Sequence, residues 1–229
     1  MGTENATLYA LWTPKTYKIT YNLEGGQLAV QNKINYNIET ATFNLNNPIK
    51  RGYEFKGWSG STLAGNANQN VSVKTGTYGE LTFTANWKVI EYPIVYHLNG
   101  GTNSIANPEI YTIEQEVHLQ APERKGYDFT GWSDNGVISK GNVGEKTFTA
   151  NWKVIEYPIV YDLNGETNSN PNPKTYTIEQ EVHLQAPERK GYDFTGWSDN
   201  GLISKGSVGE KTFTANWKVI EYPIVYHLN

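Results

Sequence analysis

Histidine is the residue type in this chain best suited to hold a metal ion. The chain consists of three similar segments, so each histidine can be compared with the residues at equivalent positions in the other copies. His97 corresponds to Asn22 in the first copy and to Asp162 in the third. A ligand shared by the copies would not be exchanged in this way, so we predict no metal site. The histidines concerned are His97, His118, His183 and His227.

Carboxylates come next, because a pair of them can perform acid–base catalysis. Glu114 and Glu116 lie two residues apart and share one face of a presumed strand, with no nucleophile beside them in sequence. Their expected role is solvated charge. The sequence has no cysteine and no phosphate-binding or dinucleotide-binding pattern. We therefore predict that the chain is not an enzyme, and that it has no catalytic, cofactor-binding or metal-binding residues.

Two other clusters have both a chemical and a structural interpretation. Residues 134–136, Asp-Asn-Gly, are similar to part of a calcium loop, but the further acidic positions of an EF-hand are missing. We predict a hairpin turn there. Glu145, Lys146 and Asn151 are the residue types of an intramolecular Lys–Asn isopeptide bond. Neighbours on one strand rarely form such a crosslink, so we do not expect one.

Aromatic side chains are abundant, with 7 Trp, 16 Tyr and 7 Phe. Exposed aromatic rings can stack on sugars, and a glycan-binding surface is one interpretation. The other is that a small repeat needs large side chains to fill its core. Tyr127, Phe129, Phe148 and Trp152 alternate with polar residues, as the inward side of strands does. We therefore predict that they form the core.

These candidates recur because the chain repeats one unit. Thr-Phe-Thr-Ala-Asn-Trp ends at Trp87, Trp152 and Trp217, which are 65 residues apart. Residues 111–162 and 176–227 differ at only three positions. A fixed period of this length indicates an array of like units. Gly-Tyr-x-Phe-x-Gly-Trp also occurs three times, at residues 52–58, 126–132 and 191–197.

Within one repeat, the local pattern predicts mainly strands. Residues 92–98 alternate between apolar and other side chains, and Asn-Gly-Gly at 99–101 then suits a turn with positive φ. Segment 111–119 is compatible with a strand or with a helical turn. Strict alternation would turn Trp132 away from the core, but a β-bulge at Gly131 would return it.

The repeat divides the chain into three full units and two partial ones. The two ends match the last strand of a preceding repeat and the first strand of a following one, so we expect an excised piece of a longer protein. The first unit contains extra residues, which we assign to an exposed loop. The predicted boundaries are 1–14 (tail), 15–88 (repeat one, insertion 60–78), 89–153 (repeat two), 154–218 (repeat three) and 219–229 (start of another).

Charge and hydropathy argue against two classes of partner. The net charge is −4 without acidic or basic runs, so the basic stripe of a nucleic-acid-binding protein is missing. No apolar stretch approaches the roughly 20 residues that span a bilayer. We therefore predict no nucleic-acid partner and no membrane insertion within this chain.

The combined motifs resemble the Listeria–Bacteroides repeat of bacterial surface proteins, over residues 15–217. The resemblance implies a compact β-grasp-like unit whose first and last strands lie side by side and parallel. The expected fold class is thus β-rich α+β, with tandem small repeats arranged as an elongated rod. Two departures exist: repeat three has Asn-Gly-Glu at 164–166, and repeat one has nine extra residues between Trp58 and Trp87.

The resemblance also implies a role outside the cell. We expect a stalk or spacer on a bacterial surface, with the signal peptide and anchor outside this sequence. The alternative is a multivalent adhesion module whose repeats bind a host protein or glycan directly. The unpartnered terminal strands, residues 6–12 and 222–228, are expected to expose ladder edges and to allow end-to-end self-association.

Overall fold

The computed structural model describes residues 7–61, 63, 67–165 and 172–227. Each repeat has a four-stranded sheet and a separate two-stranded sheet. Within the described residues, the only helical elements are the 3-10 turns Ser133–Gly136 and Ser198–Gly201. The fold is therefore β-rich, and the helical content expected of an α+β unit is limited to these turns.

The strands follow the same order in each repeat. Repeat one contains β1 (Tyr17–Asn22), β2 (Asn35–Tyr36), β3 (Phe43–Asn44), β4 (Tyr53–Gly60), β5 (Ser72–Val73) and β6 (Leu81–Val89). Repeat two contains β7 (Glu91–His97), β8 (Ile110–Thr112), β9 (Val117–His118), β10 (Tyr127–Trp132), β11 (Val137–Ile138) and β12 (Lys146–Val154). Repeat three contains β13 (Tyr157–Asp162), β14 (Thr175–Tyr176), β15 (Val182–His183), β16 (Tyr192–Trp197), β17 (Leu202–Ile203) and β18 (Lys211–Val219).

The central pair of the four-stranded sheet is parallel. In repeat one the order is β2-β1-β6-β4, and β1 runs parallel to β6 with Ile19 beside Leu81 and Tyr21 beside Phe83. The outer strands β2 and β4 are antiparallel to their neighbours. Repeats two and three have the matching orders β8-β7-β12-β10 and β14-β13-β18-β16. The first and last strands thus lie side by side, as the family resemblance implies.

Aromatic and aliphatic side chains cover one face of the sheet. In repeat one, Trp58 and Phe83 are fully buried beside Ile19. The ring of Phe55 lies 5.6 Å from that of Trp58 and 5.4 Å from that of Trp87, edge to face in both cases. Such pairs add about 0.5–1.5 kcal/mol beyond the burial of apolar area. The core is therefore held largely by ring contacts.

The aromatic residues singled out in repeat two have the same arrangement. Phe148 is buried, while Tyr127, Phe129 and Trp152 are half-buried. The rings of Phe129 and Trp152 meet edge to face at 5.5 Å. Phe129 and Trp152 thus pack against each other, and Phe148 packs against Trp132 with ring centres 6.5 Å apart. Tyr127 has a different role that is described below.

A β-bulge brings the motif tryptophan back to the core. The register between β10 and β12 shifts between Phe129 and Gly131, and Gly131 has φ 137°. The shift places Trp132 on the inner face, where it is 7% exposed. The predicted bulge at Gly131 is confirmed. A side chain at this position would be strained, which explains why glycine precedes the tryptophan in each copy.

Segment 111–119 forms neither one continuous strand nor a helix. It comprises β8 and β9 with a turn between them, in which the amide of Gln115 donates to the carbonyl of Thr112 at 3.1 Å. Residues 134–136 form a turn, as predicted. All three have positive φ, at 50°, 57° and 65°.

The insertion in repeat one is shorter than the sequence indicates. The predicted range 60–78 contains β5, which pairs with β3 just as β17 pairs with β15 in a repeat without the insertion. β5 is therefore part of the common repeat. Residues 62 and 64–66 of this range lie outside the described residues, as do residues 166–171, which include Glu166 of the third copy.

The chain divides into two compact units, and residues of the second repeat belong to both of them. The first comprises Met1–Ile94, Pro108–Val117 and Ile138–Lys146, and the second Val95–Asn107, His118–Val137 and Thr147–Asn229. The first unit therefore contains all of repeat one, and the second all of repeat three. Each also includes strands of repeat two. The predicted division into three repeats remains a prediction about domains.

The two terminal strand-like segments are not part of any sheet in the described residues. Leu11 and Trp12 are 97% and 88% exposed near one end. Tyr222 and Tyr226 are 72% and 80% exposed near the other. The described parts of both segments therefore present apolar side chains to solvent.

Candidate functional site

The four histidines lie in three different strands and in one terminal segment. All four side chains are exposed, and His183 lies 2.9 Å from the carboxylate of Glu181, which is also exposed. Among the residues that the structure describes, no group of three or more His, Asp or Glu side chains is placed to hold a metal ion. Each histidine belongs instead to an outer strand face or to a terminal segment.

Glu114 is exposed, as the sequence indicates, but it is not a strand residue. It lies in the turn between β8 and β9, so it does not share a strand face with Glu116. Its Oε1 accepts a hydrogen bond of 2.5 Å from the hydroxyl of Tyr53, which belongs to the preceding repeat. The carboxylate therefore has a structural partner across the boundary between two repeats.

The residues considered for an isopeptide bond are held apart by their strand. Lys146 opens β12 and Asn151 lies five residues further along it. At a rise of about 3.3 Å per residue, their Cα atoms are about 17 Å apart. The amide of Asn151 donates to the carbonyl of Gly131 at 3.2 Å, which gives it a role in the sheet.

A cleft in repeat two is a concave surface among the described residues. Small, polar and aliphatic residues line it, and none of them is aromatic. A sugar ring would find no stacking face there. The lining residues are Thr102, Asn103, Ser104, Ile105, Ala121 and Glu123.

Three sequence motifs characterise the repeat, and two of them, Asn-Gly-Gly and Thr-Phe-Thr-Ala-Asn-Trp, meet at the turn after the first strand. The indole Nε1 of Trp152 donates to the carbonyl of Leu98 at 2.9 Å, and a Cβ atom at Gly101 would lie 2.5 Å from the indole ring. Asn99, with φ 48°, donates its side-chain amide to the carbonyl of Ala150 at 3.0 Å. The Asn-Gly-Gly signature is therefore explained by its contact with the last strand. The equivalent indole bonds join Trp87 to Leu23 and Trp217 to Leu163.

The third motif, Gly-Tyr-x-Phe-x-Gly-Trp, begins in a turn that we call the Gly-Tyr turn. It comprises residues 50–53 in repeat one, 124–127 in repeat two and 189–192 in repeat three. In repeat two, the amide of Tyr127 donates to the carbonyl of Arg124 at 3.2 Å, and the guanidinium lies 3.6 Å from the centre of the tyrosine ring. Such a cation–π contact is worth about 0.5–1 kcal/mol at an exposed site. The turn is thus a small preformed surface with a cation, a glycine and a tyrosine.

The Gly-Tyr turn of repeat two contacts repeat three. A Cβ atom at Gly126 would lie 2.7–2.8 Å from three side-chain atoms of Ile178, so that side chain packs directly on the glycine backbone. Next to it, the hydroxyl of Tyr127 donates to Oε1 of Glu179 at 2.6 Å. Ile178 and Glu179 belong to what we call the Ile-Glu turn, residues 37–40, 112–115 and 177–180.

A lysine strengthens the same junction. The ammonium of Lys125 donates to the carbonyl of Gly206 at 3.2 Å. Gly206 in turn donates its amide to the carbonyl of Ile178 at 2.8 Å, which ties the Ile-Glu turn to its own repeat. Three consecutive residues of one repeat therefore reach three groups of the next.

The junction between repeats one and two is built in the same way. A Cβ atom at Gly52 would lie 2.7–2.8 Å from the side chain of Ile113, and Tyr53 donates to Glu114 as described above. Lys50 replaces the arginine, with its ammonium 3.9 Å from the centre of the Tyr53 ring. The recurrence shows that the contact is a property of the repeat.

The tyrosines of the junctions have raised pKa values. The pKa of Tyr127 is raised first by its hydrogen bond to Glu179 and then by loss of solvent. The same causes, with Glu114 as the acceptor, raise the pKa of Tyr53. Both hydroxyls therefore remain protonated and able to donate at neutral pH. In the core, burial raises the pKa of Tyr21 to about 12.

Sequence reasoning missed the junctions, because it assigned Tyr127 to the core alone and gave Glu114 no partner. A signal was present. Gly-Tyr recurs in all three copies together with Ile-Glu, although the two dipeptides are far apart in the chain. Recurrence of both dipeptides in every copy could have suggested that they meet. The geometry of the contact between the two turns could not have been inferred from the sequence.

The chain spans about a quarter of the length of the curated relatives that it matches. It is 25% identical over 245 residues to a protein of Evansella cellulosilytica described as a Gly-rich membrane protein, across 100% of this chain and 27% of that one. It is 27% identical over 141 residues to internalin H of Listeria monocytogenes, across 58% of this chain and 24% of that one. In the part of this chain that the structure describes, no helix is long and apolar enough to cross a membrane.

A solved structure and a family profile complete the comparisons. SHIRT domains 3-4 from a streptococcal cell surface protein align with 10% identity and a TM-score of 0.25, over 58% of this chain and 99% of that one. A TM-score this low supports no conclusion about the fold. The profile of the Listeria-Bacteroides repeat domain matches three successive segments, residues 17–86, 92–154 and 157–220. The chain therefore belongs to the Listeria-Bacteroides repeat family, with three tandem copies of the repeat.

Proposed function

We propose that this chain is a non-catalytic tandem-repeat stalk of a bacterial cell-surface protein, which projects an adhesive or binding domain from the cell. The supporting observation is the junction, which occurs twice with the same residue types. A spacer needs neighbouring units held in a defined relation, since a loose tether adds little reach. The Gly-Tyr and Ile-Glu turns supply that relation.

Short connections between the repeats support the same proposal. One residue, Ile90, separates β6 from β7, and its amide donates to the carbonyl of Gly52 at 2.9 Å. At the next boundary, the amide of Ile155 donates to the carbonyl of Gly126 at 3.0 Å. Each connection is thus bonded to the glycine that receives the isoleucine of the following repeat.

The location is proposed from the relatives. One is described as a membrane protein and another is an internalin, and both are much longer than this chain. We assign this chain to the extracellular surface of a Gram-positive bacterium, with export and anchoring signals elsewhere in the full protein. The finer fold assignment, a β-grasp-like unit repeated along a rod, is part of the same proposal.

Small-angle X-ray scattering tests the stalk. A unit of about 65 residues has a diameter of about 28 Å, so three in line should span roughly 80–100 Å. A single compact domain of this length would instead have a radius of gyration of about 17 Å, and that result would contradict the proposal. Specific binding of the isolated repeats to host-cell proteins or glycans on arrays would point to the alternative role as a multivalent adhesin.

A further inference from the structure

The strand that carries the Gly-Tyr-x-Phe-x-Gly-Trp motif has a covered outer edge in repeat one. β4 is the last strand in the order β2-β1-β6-β4, so the sheet itself pairs with only one of its edges. On the other edge, the amide of Trp58 donates to the carbonyl of Asn68 at 2.8 Å, and the amide of Asn68 donates to the carbonyl of Trp58 at 2.9 Å. The two residues form an antiparallel bridge. Part of the insertion thus lies along β4 as a short extended segment.

A side chain and a glycine complete this contact. The side-chain amide of Gln69 donates to the carbonyl of Phe55 at 3.0 Å. A Cβ atom at Gly57 would lie 2.6 Å from backbone atoms of Asn68 and 2.8 Å from the backbone of Ala67. The glycine before the motif tryptophan therefore has a second role besides the bulge, because it lets another piece of chain approach the strand closely.

The corresponding edge is open in repeats two and three. β10 and β16 are edge strands, and each pairs with the last strand of its repeat in the register of β4, with the same bulge. A Cβ atom at Gly131 or at Gly196 would meet no atom within 4 Å. Among the described residues, neither Trp132 nor Trp197 forms a bridge like that of repeat one. Repeat two is preceded and followed by a full repeat, and its edge is open all the same.

The edge differs because the chain takes another course after the tryptophan. In repeat two, the four residues Ser133–Gly136 form a 3-10 turn that leads directly to β11. In repeat one, the longer segment 59–71 precedes β5. The carbonyl of Phe129 and the amide of Trp132 correspond to the two groups of β4 that bond to the insertion. Since the register is the same, they point away from β12 and lie on the open edge.

We propose that the open edges of β10 and β16 each bind an extended, uncharged segment of another polypeptide, which adds to the sheet as a fifth strand. Residues 67–69, Ala-Asn-Gln, define the chemistry of this partner. A small residue passes over Gly131, the next residue pairs with the backbone of Trp132, and a Gln or Asn side chain donates to the carbonyl of Phe129. In strand addition, main-chain bonds supply affinity and side chains supply specificity. The binding is independent of the stalk role.

The bulge does not prevent such pairing, and the size of the contact sets its strength. Bulges commonly protect edge strands, yet β4 has the same register shift, between Phe55 and Gly57, and is paired. Interfaces below about 1,200 Å² belong to transient complexes, so we expect a dissociation constant on the order of 1 mM for one segment. A partner with several such segments would bind more tightly, because the chain has two open edges.

A peptide titration tests the proposal on the intact chain. The probe is a peptide with blocked termini and the sequence of residues 67–72, Ala-Asn-Gln-Asn-Val-Ser, added up to about 5 mM and followed by ¹H–¹⁵N correlation spectroscopy. The amides of the two open edges should shift, and those of the covered edge in repeat one should not. Absence of shifts at the open edges, or equal shifts in repeat one, would overturn the proposal. The amides to follow are those of Phe129, Gly131, Trp132, Phe194, Gly196 and Trp197, with Phe55, Gly57 and Trp58 as the controls.

A variant of the probe tests the side-chain contact. Gln69→Ala in the peptide removes the donor to the carbonyl of Phe129, so binding should weaken about fivefold, the usual effect of losing one neutral hydrogen bond. The unmodified peptide, titrated into the same sample of protein, is the reference. Equal affinities for the two peptides would overturn the proposed contact.

A loop exchange tests the position of the site. Replacing Ser133–Gly136 with the sequence of residues 59–71 should cover the edge of β10, so the amide of Gly131 should no longer respond to the peptide. Gly196 in repeat three should respond as before, which makes it the internal control. A response at Gly131 that persists would overturn the proposal. The reverse exchange, Ser-Asp-Asn-Gly in place of residues 59–71, should uncover β4 and make Gly57 respond, and it provides the test if the first variant does not fold.

Pairing between two copies of the chain is the competing use of an open edge. A concentration series without peptide, from about 50 μM to 2 mM, separates the two, since a peptide site should leave the amides of Gly131 and Gly196 unmoved. Progressive shifts at these amides would assign the edges to a second copy of the chain and would contradict the proposed partner.

Discussion

Single glycines decide where one repeat touches the next. Gly126 has φ 79°, a conformation that an L side chain adopts at a cost of about 1–2 kcal/mol. The absence of a Cβ atom also lets the side chain of Ile178 reach the backbone. Gly191 also has a positive φ, at 81°, but no side chain packs on it. It is therefore an internal control for the contact at Gly126.

Gly126→Ala should therefore destabilise the protein more than Gly191→Ala. Both variants incur the backbone strain, but only the first places a methyl group against Ile178. Overpacking of this kind costs about 1–3 kcal/mol, which should appear as the difference between the two unfolding free energies in urea. Equal losses would show that Ile178 does not pack on Gly126.

The histidines vary between the copies, and we expect this variation to have little effect on stability. His97 and His227 occupy a place that Asn22 and Asp162 fill in other copies. Replacing both with Asn should change the free energy of unfolding by less than about 0.5 kcal/mol, the usual range for surface substitutions. Thermal melts with Zn²⁺ and with EDTA provide the check. Metal-dependent stabilisation that disappears in the double variant would contradict the assignment.

At the scale of elements, the last strand connects the signatures. β12 turns Phe148 and Trp152 to the inner face, and the bulge in β10 returns Trp132 to the same side. The indole of Trp152 also covers Gly101 and bonds to the carbonyl of Leu98, so one residue joins the last strand to the turn after the first. The parallel pairing of these strands depends on such contacts.

Trp152→Ala should lower the free energy of unfolding by about 3 kcal/mol, through loss of a packed ring and of the bond to Leu98. The effect should fall mainly on repeat two, because units of an array interact with their neighbours alone. Hydrogen exchange resolves it by repeat. The control is Trp12→Ala, since Trp12 is 88% exposed and its removal should leave the melting curve unchanged. An unchanged melt for Trp152→Ala would restore the ligand-binding interpretation.

At the scale of the whole molecule, the junctions couple repeats whose stability is limited by their size. Their hydrogen bonds use protonated tyrosines, because acceptance by Glu114 and Glu179 raises the pKa of Tyr53 and Tyr127. A group whose pKa is raised by folding stabilises the native state below its ordinary pKa, near 10 for tyrosine. That stabilisation is lost as the pH rises through the raised value.

The melting temperature should therefore fall above pH 10, and part of the fall should come from the junctions. In the double variant Tyr53→Phe, Tyr127→Phe the fall should be shallower, although stability at neutral pH should be lower. Tyr192→Phe is the matched control, because the hydroxyl of Tyr192 has no hydrogen-bond partner in the described part of the chain. Calorimetry from pH 8 to 11 gives the comparison. Identical alkaline slopes for the double variant and the parent would show that the two bonds do not contribute.

The sequence by itself determined the repeat and most of its interior. Alternation placed Phe148 inward, the period of 65 residues located the copies, and glycine before tryptophan indicated the bulge at Gly131. These features depend on residues that are close together in the chain, so the local sequence pattern predicts them. The same reasoning left segment 111–119 undecided, because two short strands and a turn have no clear period.

Only the tertiary structure decided how one repeat meets the next. Tyr127 and Glu179 are 52 residues apart, and no local pattern relates a tyrosine at the start of a strand to a glutamate in a distant turn. On the alternation of its strand Tyr127 belongs to the core, yet its hydroxyl reaches the following repeat. The contact arises because folding brings the start of β10 beside the turn after β14, and the position of that turn depends on the packing of the whole unit.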